Sequence, residues 1–286
     1  MSTNRTTGAD SMPATTTSVV VSADGTRLMT QSTGTGPLLV LVDPAMATRE
    51  NSAKLTAALA GHFTVVGYDR RGRGDSDDAD PTGTDVANEV ADVAAVIRAH
   101  GQPAILFGSS SGAALALEAA ARLGEVVTGV FLYEPPFIVD DSRPPIPHEL
   151  PARIAANVAA GRLSRASTAF FREAVGVPAA VVAAMRVTPM WPKAKRIVPT
   201  VRYDFAVLDG LQNGSPLPAD RWNGLTASGV VMVGSSSEPF FHTAAQALAR
   251  TLPSIEAEVL EGGDHGTPMM SPRPLAERII ARFAPR

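Results

Sequence analysis

Short apolar segments alternate with longer amphipathic segments along most of the chain. Eight of the short segments are rich in Val, Leu, Ile, Phe and Thr, and they predict strands. In chain order they are TSVVVSAD, RLMTQST, PLLVLVD, FTVVGYD, PAILFG, VVTGVFLYE, GVVMVG and IEAEVLEG. From PLLVLVD onwards, segments of helical periodicity separate the strands. Such alternation indicates βαβ units in a mostly parallel sheet flanked by helices.

The alternation stops after Glu134, where the chain becomes rich in Pro, Met and aromatic residues. Helical segments are predicted in this stretch around 150–160, 166–174 and 179–185, before the sheet pattern resumes with GVVMVG. We therefore predict that residues 135–226 form a helical cap inserted between two strands.

The remaining parts of the chain, residues 18–134 and 227–286, are expected to form one α/β core. Residues 1–17 are rich in Thr and Ser and lack the apolar run of a signal peptide, so they predict a disordered tail. The helical segments carry regular charges, and we expect no membrane-spanning helix. These features are typical of a cytoplasmic protein.

The charge balance and the composition restrict the partners of the protein. The formal net charge is −3 and no basic cluster is present, so we expect neither a nucleic-acid nor a membrane partner. The chain has no cysteine, which excludes a disulfide framework, a thiolate nucleophile and thiolate metal sites. We expect a small-molecule substrate and no metal or organic cofactor. A homodimer is compatible with the sequence.

The stretch GSSSG at residues 108–112 matches the pattern G-x-S-x-G. The strand PAILF precedes it and the helical segment AALALEAAARL follows it, and this strand, turn and helix context presents an exposed nucleophilic serine. Ser110 is the central serine and is the predicted nucleophile. A Gly/Ser turn with a serine that caps the next helix is the alternative, which the position among the strands disfavours.

A serine hydroxyl needs a neighbouring base, and the chain offers five histidines. His265 lies in the loop EGGDHGTPM after the last predicted strand, where its ring can reach the carboxyl edge of the sheet. It also satisfies the chain order nucleophile, acid, histidine. The other four precede strands, lie in the predicted cap or lie near a helix start: His62, His100, His148 and His242. His265 is therefore the predicted base.

The carboxylate that orients the histidine has two candidates. The usual position follows the strand GVVMVG, where Glu238 is the only carboxylate in the loop GSSSEPFF. Glu134 ends the preceding strand, directly before the predicted cap, and we favour it. Asp264 adjoins His265 in sequence and is poorly placed to hold its ring. Glu238 remains the alternative acid.

Two backbone amides are expected to form an oxyanion hole. One belongs to Ser111, and the other lies in the loop after PLLVLVD, at Ala45 in preference to Met46. Met46 and several side chains of the predicted cap also suggest a mostly apolar substrate pocket. The cap residues are Phe137, Met185, Met190, Trp191 and Tyr203. Packing within the cap itself is the alternative role for each of them.

The segments LLVLVD, YDRRGRGDS, FGSSSGA, GVFLYEPP and LEGGDHG occur in the order of α/β-hydrolase landmarks. The chain resembles that family, which implies the α/β-hydrolase fold, and YDRRGRGDS is expected to be a structural corner. Within the family, the chain is most similar to the lactonases that hydrolyse the mycotoxin zearalenone. They share an S-S-G-A elbow, and the resemblance implies Glu134 as the acid and Trp191 as a cap tryptophan. The chain departs from them at Asp43-Pro44-Ala45, where they have a glycine-containing oxyanion loop.

The predicted function is hydrolysis of a carboxylic ester or lactone through an acyl-serine intermediate. The substrate is expected to be a hydrophobic small molecule, and aromatic molecules belong to this class. Thioester hydrolysis and cofactor-free perhydrolysis use the same three residues and stay open. A ligand receptor with the same fold is the alternative from another class, because a fold alone does not establish a function.

Overall fold

The computed structural model describes residues 14–285, which contain one eight-stranded sheet. All eight predicted strands are present. They are β1 (Thr15–Val21), β2 (Arg27–Thr33), β3 (Leu38–Val42), β4 (Thr64–Tyr68), β5 (Ala104–Ser109), β6 (Val127–Tyr133), β7 (Ser228–Gly234) and β8 (Ile255–Leu260). Their order across the sheet is β1-β2-β4-β3-β5-β6-β7-β8.

The sheet is parallel from β4 to β8 in that order, and β2 pairs antiparallel with both β1 and β4. The prediction of a mostly parallel sheet is confirmed. The predicted tail is wrong at its end, because β1 begins at Thr15 and residues 15–17 pair with β2. Threonine is β-branched and suits an extended edge strand with an exposed face. Residues 1–13 of the predicted tail lie outside the described residues.

Eleven α-helices occur within residues 14–285. They are α1 (Ala53–Leu59), α2 (Val86–His100), α3 (Ser111–Leu123), α4 (Leu150–Ala159), α5 (Leu163–Ala169), α6 (Ala179–Met185), α7 (Met190–Ile197), α8 (Val201–Val207), α9 (Pro239–Thr251), α10 (Thr267–Met270) and α11 (Arg273–Phe283). A π-helical turn, Phe170–Val175, extends α5. None of the helices in this part of the chain is long and apolar enough to cross a lipid bilayer.

Helices cover both faces of the sheet, as the apolar strands require. One face packs against α2, α3 and α9 and contains the larger apolar cluster. The other face packs against α1 and α11, through residues such as Leu55 and Ile279. The strands β3 and β5 are buried along their whole length.

The segment between β6 and β7, residues 135–227, carries α4 to α8, and we call it the insert. Helices α4 and α5 form a small apolar cluster of their own with Phe170 and Val198. Helix α8 contributes Val201 to this cluster, and it also contacts α2 and α3 of the core and buries Tyr203, Asp204 and Val207. The insert is thereby attached to the core through α8. The sequence had indicated neither α7 nor α8.

Two glycines allow β5 to turn sharply into α3 next to the end of β3. A Cβ on Gly112 would lie 2.1 Å from the carbonyl oxygen of Val42 and 2.8 Å from that of Asp43. A Cβ on Gly108 would lie 2.3 Å from the carbonyl oxygen of Gly112. No side chain fits at either position, so the glycines permit the close approach of the helix to the strand.

Replacing Gly112 with Ala is expected to lower the free energy of unfolding by about 1 to 3 kcal/mol, because α3 must move away from β3 to admit the methyl group. Chemical denaturation followed by circular dichroism measures this change. Gly61→Ala is the control, since a Cβ there has no heavy atom within 4 Å. Equal unfolding free energies for the two variants would contradict the close approach.

Candidate active site

Three residues with strained backbone meet at the carboxyl edge of the sheet. Within residues 14–285, the non-glycine residues with positive φ are Met46 (63°), Ser110 (54°) and Glu134 (49°). Each directly follows a strand or lies in the loop after one. Such conformations are unfavourable and cluster at functional sites. The backbone therefore identifies the same place that the sequence motifs predict.

Ser110 occupies the sharp turn between β5 and α3. Its N–H donates to the carbonyl oxygen of Tyr133 at 2.8 Å, and its own carbonyl accepts from the N–H of Ala113 at 2.9 Å. These bonds join the turn to the end of β6 and to the first turn of α3. The serine is thereby held between two adjacent strand ends, which is the geometry of a nucleophile elbow.

Glu134 lies next to this turn and is completely buried. Its Oε2 lies 2.7 Å from Nδ1 of His265. Its Oε1 accepts from the N–H of Gly234 at 2.7 Å and from the Ser237 hydroxyl at 2.5 Å. The carboxylate is therefore satisfied at both oxygens and fixed by groups from β7 and the loops after β7 and β8.

His265 lies in the loop after β8, as the sequence predicted. Its ring stacks on Phe241, with centroids 4.7 Å apart and planes 18° apart. It borders the same cavity as Ser110, and no hydrogen bond joins the two side chains among the described residues. Catalytic hydrogen bonds are often long or poorly aligned before a substrate binds.

The other two candidate acids have different environments. Glu238 is exposed at the start of α9 and borders the cavity, while Nδ1 of His265 faces Glu134. The Asp264 carboxylate accepts from the N–H of Gly266 at 2.9 Å, within its own turn. Of the carboxylates weighed from the sequence, the structure brings Glu134 to the histidine.

A cavity of about 560 Å³ lies over Ser110 and His265, between the sheet edge and the insert. Aromatic and thioether side chains form much of its wall: Met46, Phe170, Phe171, Phe205, Phe241 and Met269. Two of these phenylalanines lie on the π-helical turn after α5. Within the described part of the chain, no group of three or more His, Asp or Glu side chains is placed to hold a metal ion.

Most of the pocket residues expected from the insert lie elsewhere. Phe137 is in the core against Trp222, with ring centroids 5.9 Å apart. The Tyr203 hydroxyl is turned toward Asp78, at 2.9 Å. Trp191 is buried and its indole N–H donates to the Ser164 hydroxyl at 3.1 Å. All three are buried, Phe137 in the apolar core and Trp191 and Tyr203 with their polar atoms hydrogen-bonded to other side chains.

The two predicted methionines of the insert border a neighbouring depression. Met190 is 61% exposed, and it lines this depression together with Met185. The depression lies on the other side of the loop after β3, residues 43–48, which we call the oxyanion loop. Met46 of that loop borders both spaces. Of the expected pocket residues, Met46 is therefore the one that lines the cavity at Ser110. The sequence did not identify Phe170 and Phe171 as cavity residues, because they lie in a helical stretch whose neighbours in sequence do not show which side faces the cavity.

The predicted oxyanion residues are close together at the cavity floor. Ala45, Met46 and Ser111 all border it, and Ser111 begins α3, where backbone amides have no acceptor within the helix. The N–H of Ala45 donates to the Ser111 hydroxyl at 2.8 Å. The N–H of Ala45, which the sequence favours as the second oxyanion donor, is thus already hydrogen-bonded to the side chain of Ser111.

Asp43, at the start of the same loop, is a buried acid without a full set of partners. The Ser52 hydroxyl donates to its Oδ1, and its Oδ2 has no hydrogen-bond partner among the described residues. Burial raises the pKa of Asp43 from its ordinary value of 3.8 to about 7, although Ser52 and nearby arginines lower it. The neutral form of this carboxyl is therefore the favoured one below neutral pH.

The sheet order, the elbow at Ser110 and the bond between His265 and Glu134 define a hydrolase with the α/β-hydrolase fold. A family model described as the alpha/beta hydrolase family matches residues 40–278. The chain belongs to this family.

Two solved structures illustrate the relationship. An alpha/beta hydrolase from Sphaerobacter thermophilus DSM 20745 has 41% sequence identity and a TM-score of 0.84, covering 93% of this chain and all of the other. The esterase RhEst1 from Rhodococcus sp. ECU1013 has 22% identity and a TM-score of 0.67, covering 93% and 98% of the two chains. At that identity the second likeness shows the fold alone.

A curated relative matches a smaller part of the chain. The uncharacterized hydrolase YraK of Bacillus subtilis (strain 168) is 31% identical over 118 residues, which are 39% of this chain and 42% of that protein. The chain therefore matches less than half of this relative's length. None of these three relatives is described as a zearalenone lactonase, so that narrower resemblance stays a prediction.

The raised pKa of Asp43 predicts a pH-dependent cost of folding. An unfolded chain releases this proton near pH 4, whereas the folded protein retains it to about pH 7. The free energy of unfolding should therefore fall between these pH values, and the cost is complete above them. Asparagine cannot ionise. The free energy of unfolding of Asp43→Asn, relative to that of the wild type, should therefore rise by about 2 to 4 kcal/mol between about pH 4 and pH 8.

Urea denaturation of both proteins at several pH values measures this difference. Asp141→Asn, at an exposed position, is the control and should show no comparable change with pH. If the unfolding free energies of Asp43→Asn and wild type differed by the same amount at every pH, the raised pKa of Asp43 would be refuted.

Proposed function

We propose that the protein hydrolyses carboxylic esters or lactones of hydrophobic small molecules through an acyl-serine intermediate on Ser110. The observation that carries this proposal is the 2.7 Å contact between Glu134 and His265, beside a serine elbow in the same cavity. In this arrangement the carboxylate orients the imidazole and stabilises its charged form.

The proposed reaction proceeds in two steps. His265 takes the proton of the Ser110 hydroxyl as the oxygen attacks the substrate carbonyl, and it then protonates the leaving alcohol. A water molecule, activated by the same histidine, cleaves the acyl-serine and restores the enzyme. The negative oxygen of each tetrahedral intermediate is stabilised by the N–H of Ser111 and by the N–H of Met46, because the N–H of Ala45 donates to the Ser111 hydroxyl. Each such donor contributes about 2.7 to 4 kcal/mol.

The substrate class follows from the cavity wall. Aromatic and thioether groups surround Ser110, with Phe171 and Phe205 contributed by the insert and Met46 by the oxyanion loop. Such a wall favours a bulky apolar acyl or alcohol group. A lactone satisfies the same requirements, since its acyl and alcohol parts occupy one compact space. The proposed chemistry needs no metal or organic cofactor.

The wild-type protein should react with a fluorophosphonate probe at Ser110. Ser110→Ala should abolish the labelling and lower kcat by about 10³-fold or more, because the nucleophile is lost. Ser109→Ala, one position earlier in β5, is the matched control and should still be labelled. Peptide mapping by mass spectrometry identifies the labelled residue. A folded protein that binds an apolar ligand but is not labelled would be a receptor instead.

The acid can be identified by comparing two isosteric substitutions. Glu134→Gln should lower kcat by about 10² to 10⁴-fold, because a neutral amide cannot stabilise the charged imidazole. Glu238→Gln should lower kcat by less than about tenfold, since its side chain is exposed and does not hold the ring. Steady-state kinetics on an activated ester measures both. The reverse result would assign the acid to Glu238.

A panel of esters, lactones and acyl thioesters, with and without hydrogen peroxide, distinguishes the reactions that this set of residues supports. We expect esters and lactones with bulky apolar groups to have the highest kcat/KM. Preference for thioesters, or faster formation of a peracid than of the free acid, would assign the activity to thioester hydrolysis or perhydrolysis.

A further inference from the structure

A buried carboxylate from the insert borders the cavity at Ser110 and contacts a residue of the predicted oxyanion hole. Asp204, on α8, is 2% exposed. Its Oδ1 accepts from Nη1 of Arg70 at 2.7 Å and from the Ser111 hydroxyl at 2.8 Å. Its Oδ2 accepts from Nη2 of Arg73 at 2.7 Å. One carboxylate thus joins two arginines of the corner after β4 to the residue that follows the nucleophile.

The groups bound to Asp204 also hold the oxyanion loop, one residue each. Nη1 of Arg70 donates to the carbonyl oxygen of Asp43 at 3.2 Å, and Nη1 of Arg73 donates to that of Pro44 at 2.7 Å. The Ser111 hydroxyl accepts from the N–H of Ala45 at 2.8 Å. Three consecutive loop residues are therefore fixed by three groups that share one acceptor.

The direction of these hydrogen bonds follows from the charge of Asp204. Burial alone would raise the pKa of this carboxyl, but Arg70 and Arg73 hold it below its ordinary value. An ionised carboxylate only accepts hydrogen bonds, so the Ser111 hydroxyl donates to Asp204. Its lone pairs are then directed to the N–H of Ala45.

The loop needs such support because its backbone is strained and has no glycine. Met46 follows Ala45 with φ of 63°, a conformation that costs a side-chain-bearing residue roughly 1 to 3 kcal/mol and persists only when its surroundings enforce it. The hydrogen bonds that Arg70 and Arg73 donate to the loop, and the one that the Ser111 hydroxyl accepts from it, are those surroundings on the side that faces the protein interior.

We propose that Asp204 is a positioning residue that, through Ser111, Arg70 and Arg73, holds the loop amides in the arrangement that binds the oxyanion. This inference rests on the proposed function of Ser110. Asp204 does not touch the substrate carbonyl in this proposal. It acts through the geometry of the loop, so its loss raises the barrier to acyl transfer more than it weakens ground-state binding.

Two variants test the proposal. Asp204→Asn removes the charge, and Ser111→Ala removes only the hydroxyl while it keeps the Ser111 amide position and every ion pair. Asp92→Asn is the matched control, because Asp92 is 1% exposed and accepts two hydrogen bonds from Arg71 of the same corner, both at 2.7 Å. The Asp92 carboxylate has no bond to the oxyanion loop among the described contacts.

The measurements are kcat and KM for a p-nitrophenyl ester that the wild type hydrolyses, and the inhibition constant of a trifluoromethyl ketone, which mimics the tetrahedral intermediate. We expect Ser111→Ala and Asp204→Asn to lower kcat by about 10- to 100-fold, with KM within about threefold of wild type. Affinity for the ketone should fall by a similar factor. Asp92→Asn should lower the free energy of unfolding but keep kcat within about threefold.

The proposal is overturned if Ser111→Ala retains wild-type kcat and ketone affinity, or if Asp92→Asn lowers kcat as much as Asp204→Asn does. If Asp204→Asn does not fold, Ser111→Ala decides alone, because it leaves the buried charges paired. Fluorophosphonate labelling of wild type separates the two levels of inference. An unlabelled Ser110 refutes the proposed function itself, whereas a labelled Ser110 with unaffected variants refutes only the role of Asp204.

Discussion

The hydrogen bond between Glu134 and His265 depends on the ends of three neighbouring strands. The carboxylate stands at the end of β6, its other partners belong to β7 and the loop after it, and the histidine follows β8. These groups meet because the strands are parallel and in register, so that their carboxyl ends coincide at one edge. A buried carboxylate without such donors would be costly. The geometry of the histidine therefore depends on the correct pairing of the sheet.

The strands and the elbow could be predicted because their signals are local. Apolar segments of five to seven residues and a Gly-Ser-Ser-Ser-Gly turn are readable from neighbouring residues alone. The pairing of His265 with Glu134 could also be anticipated, because chain order and the carboxyl edge restrict the choice of partners. The edge strand begins at Thr15, two residues before the predicted strand TSVVVSAD, because a polar threonine sequence does not show the regular pairing with β2.

The insert could not be predicted at the same level. Its aromatic residues are compatible with either a substrate pocket or a packed interior, and composition does not distinguish these roles. Phe137 and Trp191 pack internally, whereas Phe171 and Phe205 reach the cavity. The contact of Arg70 with Asp204 joins residues far apart in sequence. Only the folded structure brings such a pair together, since neither residue lies in a motif that names its partner.

The location of Asp204 has a consequence for the exchange of inserts between members of the family. The insert begins directly after Glu134 and ends before β7, so replacing it leaves Ser110, Glu134 and His265 on the core. Replacing the insert would nevertheless remove Asp204, the anion that Arg70 and Arg73 share. Two guanidinium groups would then be buried beside the oxyanion loop, with only Glu89 left as a charged partner of Arg70. A transplanted insert must therefore supply its own carboxylate at this position, in addition to a new cavity wall.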